Sequence, residues 1–189
     1  MTIKDIIMDA ARILGDETLY AALADTETAL STENQAKVDA LLKCYNDVSF
    51  EIAAEYFPLT FEESVSSGKI AFSTLTKTPL KIKSVRGQGG ADVTFTVGQN
   101  YLETEKFASP ITVVYDYIPD EKALTDNFDY ENTPVGKTIF CYGIAAEYCI
   151  IGGRYSEASN WESKFKNAVL NAIQPRKRAG NVTPKKVWI

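Results

Sequence analysis

The hydrophobic period of this chain changes twice, and the two changes leave few architectures open. Up to Pro58 the apolar residues recur at helical spacing, between Gly68 and Pro119 they alternate with polar ones, and beyond Thr133 the helical spacing returns. An alternating segment presents apolar side chains to one face of an extended strand, so it needs a sheet and a core of its own. The pattern therefore predicts an α+β chain. A helical bundle core of an N-terminal helix, a long helix and a C-terminal helix pair carries an inserted small antiparallel β subdomain and ends in an extended tail. The expected parts are residues 1–67, the β insertion 68–119, a loop and helix pair 120–174, and a tail 175–189.

The first helix is expected over residues 3–14, where Ile3, Ile6, Ile7, Ala10, Ile13 and Leu14 form a stripe between the cap Thr2 and the stop Gly15. A weaker signal suggests one short helix around residues 19–23. A long helix opens at Thr32, with Gln35 three residues on in a capping-box spacing, and runs through Val38, Leu41, Leu42, Tyr45, Val48, Ile52 and Tyr56 to Pro58. Thr133-Pro134 is expected to open the next helix. From Ile139 to Ile151 that helix is apolar nearly all round, so it should be central. After Gly152-Gly153 the last helix starts near Ser156, with Ala158, Trp161, Phe165, Ala168, Val169, Ala172 and Ile173 on one face, and Pro175 ends it.

Within the insertion, Leu80 and Ile82, then Val93, Phe95 and Val97, then Ile111, Val113, Tyr115 and Tyr117 alternate with polar residues. With a stretch at 70–72 and another near Tyr101, four or five strands are expected. Gly87-Gln88-Gly89-Gly90 supplies a hairpin turn, because glycine accepts the positive φ such turns use.

Composition narrows the chemistry. The chain has no histidine, which removes Ser-His-Asp and Cys-His nucleophiles, imidazole metal ligation and the commonest general base. Cys44, Cys141 and Cys149 have neither disulfide nor zinc spacing and read as small buried residues. No apolar run reaches the roughly 18 to 20 residues of a membrane span, and the first residues lack the pattern of a secretory signal, so no membrane role is expected. Such a protein is expected to work where it is made or to leave the cell by lysis.

Sites of recognisable chemistry fail on their surroundings. Gly136-Lys137-Thr138 resembles the end of a phosphate loop, but Glu131 stands where the leading glycine belongs, and no helix pattern follows Gly87–Gly90. Asp116, Asp120, Glu121, Asp126, Asp129 and Glu131 lack the order of a calcium loop and read as a solvated acidic stretch. A glycosidase pair among Glu55, Glu62 and Glu63 rests on residue type alone. Trp161, Phe165 and Tyr155 invite a stacking surface, yet Trp161 and Phe165 share the stripe of Ala158, Ala168 and Val169 and read as core. No catalytic residue, metal ligand or cofactor is expected.

The tail is different. Arg176, Lys177, Arg178, Lys185 and Lys186 lie there without any Asp or Glu; removing five of the twenty basic residues leaves fifteen against twenty-five acids, a body of −10 in a chain of −5. The segment closes on Val187, Trp188 and Ile189, whose burial is worth roughly 1.5 to 3 kcal/mol per large side chain. Cations steer such an arm to an acidic surface or to phosphate, and the apolar residues anchor it.

The run Ile144-Ala145-Ala146-Glu147-Tyr148-Cys149, then Gly152-Gly153-Arg154-Tyr155-Ser156-Glu157-Ala158 and Trp161, resembles the C-terminal helix pair of tailed-bacteriophage head-tail connector proteins. Lys185-Lys186-Val187-Trp188-Ile189 is similar to that family as well, and the order of helices, insertion and tail resembles the adaptor, or tail tubular, proteins of short-tailed phages.

This resemblance implies a structural, non-enzymatic virion protein at the head-tail junction, assembled in the bacterial cytoplasm. It would form a homo-oligomeric ring, twelvefold, below the portal protein. The tail would dock on the portal through Arg176, Lys177, Arg178, Lys185, Lys186, Val187, Trp188 and Ile189, and the β subdomain would face either the tail nozzle or neighbouring subunits. Genomic DNA would pass through the lumen without sequence-specific binding, as an acidic wall permits. The alternative is a nucleic-acid-binding module that uses the basic tail on phosphates.

Overall fold

The computed structural model describes residues 1–25, 27–105 and 110–174. Among them are five α-helices, α1 (Ile3–Ile13), α2 (Glu17–Ala24), α3 (Thr32–Glu51), α4 (Lys137–Ile151) and α5 (Tyr155–Ile173). Six strands lie between α3 and α4: β1 (Leu59–Val65), β2 (Lys69–Ala71), β3 (Pro79–Arg86), β4 (Phe95–Val97), β5 (Tyr101–Thr104) and β6 (Ile111–Tyr117). The fold is the α+β arrangement expected, a helical body with a β insertion. The tail expected over 175–189 lies outside the described residues.

The helical body is organised by α4, which packs against α1, α3 and α5. Its buried residues, Ile139, Phe140, Cys141, Gly143, Ile144, Ala145, Ala146 and Cys149, surround most of its circumference, which is why its sequence shows no clean amphipathic stripe. Gly143 sets the spacing. A Cβ there would stand 2.8 Å from Val48 Cγ1 and 3.2 Å from Phe165 Cδ2, so only glycine lets α3 and α5 approach on either side. Phe140 is the hub of an aromatic cluster, with Phe128 at 4.8 Å edge-on, Tyr130 at 5.2 Å and Tyr45 stacked at 5.5 Å.

Helix ends differ from expectation where side chains compete for backbone groups. At α1, the Asp5 carboxylate accepts from the Thr2 amide at 2.8 Å and the Thr2 hydroxyl at 3.0 Å, and Gly15 takes φ +77° past the end. At α3 the cap is Ser31, whose Oγ accepts from the Asn34 amide, one residue before the expected Thr32; Gln35 bonds Asp39 instead. The long helix does not run regularly to Tyr56. Residues Ile52–Tyr56 widen into a π turn, closed by the Phe57 amide on the Ile52 carbonyl at 2.7 Å. At α4, Thr133-Pro134 does not open the helix, which begins three residues later. The Thr133 hydroxyl donates to the Tyr130 carbonyl and accepts from the Val135 amide, building a turn that drives Val135 into the core.

The insertion contains two three-stranded antiparallel sheets, ordered β1-β6-β3 and β2-β5-β4. Both contribute to one core of Ile70, Leu75, Val85, Leu102, Ile111, Val113 and Tyr115. It starts at Leu59, earlier than the expected residue 68, because β1 hides its strand pattern: Glu63 occupies an inward-facing position opposite Val113. That carboxylate is received by the Tyr115 hydroxyl and by the Thr76 amide and hydroxyl. The glycine-rich turn after β3 closes as expected, with the Gly87 amide on the Ala91 carbonyl and positive φ at Gly89 and Gly90.

The acidic stretch is structural rather than merely solvated. Asp116, only 5% exposed, accepts from Thr60 and pairs with Lys83; Asp120 pairs with Lys77, Asp129 with Lys122, and Glu131 with the Met1 amino group. Asp126 accepts from the Ala123 amide and turns the loop back toward α1.

Candidate interaction site

The residues singled out in the tail, Arg176, Lys177, Arg178, Lys185, Lys186, Val187, Trp188 and Ile189, lie outside the described residues. The described body offers two surfaces of its own.

The first is the end of the α4–α5 hairpin. Gly153 at φ +69° turns the chain between the helices, and α4 ends on Ile150 and Ile151 just before it. They remain 42% and 61% exposed, and Tyr155 at the start of α5 is 71% exposed. Beside them lies a cleft of about 440 Å³ between the first turns of α3 and the hairpin turn, lined by Ala36, Ala40, Tyr148, Ile151, Gly152 and Arg154. Ala36 and Ala40 are one helical turn apart, so their short side chains leave depth that larger residues would fill. A second cleft, reaching to Gly15, Asp16 and Glu17, shares Tyr148 and Arg154 as a common wall.

The cleft rim is fixed by ion pairs. Lys37 Nζ stands 3.0 Å from Asp16 Oδ2 and 3.2 Å from Glu33 Oε1, and Arg154 Nη1 is 3.1 Å from Glu157 Oε2. The Thr18 hydroxyl, together with the Leu19 amide and Lys37, holds the Asp16 carboxyl below its ordinary value although burial opposes this. The same carboxylate caps α2 and tethers it to α3.

The second surface is acidic. It brings together Asp47 and Glu51 of α3, Glu55 after it, Glu147 of α4 and Glu162 of α5. Burial, then the carboxylates of Glu55 and Glu147, raise Glu51; burial, then Asp47 and Glu162, raise Glu147. The charge of Lys166, which also pairs with Glu162, opposes the rise at Glu51.

The other candidates fall into structural roles. Phe165 is buried, while Trp161 is half-buried, stacked on Tyr142 at 5.8 Å and covered by Lys164 at 4.0 Å. Lys137 of the phosphate-loop lookalike pairs with Asp9 at 2.7 Å. Glu62 faces away from the insertion's core, opposite to Glu63, so the two do not converge. Burial pushes the Cys44 and Cys141 thiols up to about 12, and Cys149 also upward, which leaves them poor nucleophiles. Among the described residues no cluster of three metal-ligating side chains occurs, and no helix is long and apolar enough to cross a membrane.

The hairpin cleft escaped notice in the sequence, although two signals mark it. Ala36 and Ala40 repeat at i, i+4 on the exposed side of α3, and the apolar run of α4 continues through Ile150-Ile151 to the glycines. No family model matches the chain, and no curated protein matches it.

Proposed function

We propose that this chain is a structural head-tail adaptor of a tailed bacteriophage, forming a ring below the portal and joining the capsid vertex to the tail. The observation that carries the reading is the order of its parts. A helical body closed by the α4–α5 hairpin is followed directly by five cations and then Val187-Trp188-Ile189. The body supplies a rigid block to pack side by side, and the following segment supplies an arm that seeks an acidic surface and anchors through Trp188. The −10 of residues 1–175, with its shared carboxylates on α3, α4 and α5, suits a wall past which DNA slides without binding.

The test is electron microscopy of the chain mixed with the portal of its phage, beside a variant ending at Gln174. Rings seated on the portal with the full chain and none with the shortened one are expected. Seating of both would remove the tail from the docking role; seating of neither would remove the adaptor reading.

A second reading rests on the same five cations: a nucleic-acid-binding arm. It requires binding to free duplex DNA that weakens steeply with salt and vanishes without residues 176–189. An acidic body works against it.

A further inference from the structure

We propose that the cleft between the first turns of α3 and the α4–α5 turn seats the chain's own C-terminal segment, with Trp188 and Ile189 against Ala36, Ala40 and Ile151. The inference goes beyond the portal reading and is tested on the isolated subunit, where no portal competes for the same residues.

Three observations lead there. The cleft presents mainly apolar surface, with Glu33, Lys37 and Arg154 among its lining, and opens beside Ile150, Ile151 and Tyr155, an exposed patch on one hairpin. Reach is sufficient. The 19 residues of α5 place Gln174 about 28 Å from the start of that helix, while the fourteen residues from 175 to Trp188 span up to about 46 Å when extended. The charges also fit. Asp16, Glu17, Glu33 and Glu157 around the cleft outnumber Lys37 and Arg154, and the arm brings Lys185 and Lys186 immediately before its apolar end.

The same chain is favoured over a second copy because a tether of this length holds the arm near its seat at an effective concentration in the millimolar range. Any docking of the arm elsewhere must then first release it from α3.

Trp161→Phe leaves Trp188 as the sole tryptophan in the full chain, because the sequence has two. Its emission should lie at shorter wavelength than that of a free peptide of residues 175–189, with weaker quenching by acrylamide, independent of protein concentration. Ile151→Asp and Ala40→Glu, both outside the buried core, should return the signal to that of the peptide. Peptide-like quenching in the parent, protection that survives both substitutions, or protection that grows with protein concentration would each overturn the proposal.

A second measurement avoids touching Trp161. In the full chain, hydrogen exchange at the amides of residues 36–40 should be slower than in Trp188→Ser. Equal exchange contradicts the seat.

Discussion

In the helical body Tyr45, Phe128, Tyr130 and Phe140 pack ring against ring, and aliphatic residues of α1, α3 and α4 close around them. The β insertion has fewer large side chains to bury, and the largest of them, Tyr115, carries a hydroxyl that holds Glu63 and accepts from the Lys77 amide. One region is held by shape and the other by shape plus a polar clamp. The difference follows from size: a small two-sheet insertion encloses little apolar area, so each satisfied buried polar group matters more to it.

The largest effect should come from the aromatic hub. Phe140→Ala removes the ring that three others contact and should destabilise the helical body by about 3 to 5 kcal/mol in chemical denaturation. A loss as small as that of a surface substitution would mean that the cluster is not the centre of the fold.

Tyr115→Phe should come next, at about 1 to 2 kcal/mol, because it strips the donor from Glu63 while leaving the ring in place. Hydrogen exchange should locate the effect: amides of β1, β3 and β6 should exchange faster, and those of α1, α3 and α4 should not. Uniform acceleration would show that the two cores unfold as one.

Acid sharpens the same contrast. Burial opposes ionisation of Glu63, but the hydrogen bonds from Tyr115 and Thr76 outweigh it and hold the carboxyl below its ordinary 4.5. A carboxyl lowered in the folded state stabilises it above the unfolded value, and that contribution disappears as pH falls through the lower, folded one. Protection of the β1 and β3 amides, taken relative to the intrinsic exchange rate at each pH, should therefore fall below pH 4.5, and Glu63→Gln should flatten this response.

The smallest effect should have the opposite sign. The Tyr130 hydroxyl is buried without a hydrogen-bond partner among the described residues, so Tyr130→Phe should stabilise by up to about 1 kcal/mol. A tyrosine hydroxyl that holds a carboxylate in one core and has no partner in the other is the comparison reduced to a single atom.

The helices were legible in the sequence because their stripes are long and their punctuation is strong, as at Gly15 and Gly152-Gly153. Their starts were less so. Ser31, Thr32 and Thr133 are all good caps by type, and which of them caps depends on where Val38 and Val135 must be buried. β1 was hidden by Glu63, an acid on an apolar face whose partners lie 13 and 52 residues away. Division into two sheets was equally invisible, since strand partners are set by packing between distant segments. The pairing of Asp116 at the end of β6 and Asp120 just beyond it is not legible in the sequence, because their cations, Lys83 and Lys77, come from distant segments. The hairpin cleft consists of what small residues leave unfilled, a property that no motif records.

The proposed role of residues 176–189 is that of an anchor guided by its charges. It is tested most directly by the equilibrium affinity of the full chain for the portal that the proposed adaptor would join, compared with that of Trp188→Ala. The account predicts a loss of about thirtyfold or more, the size expected when a buried aromatic anchor is truncated. Equal affinity for the two chains would contradict it.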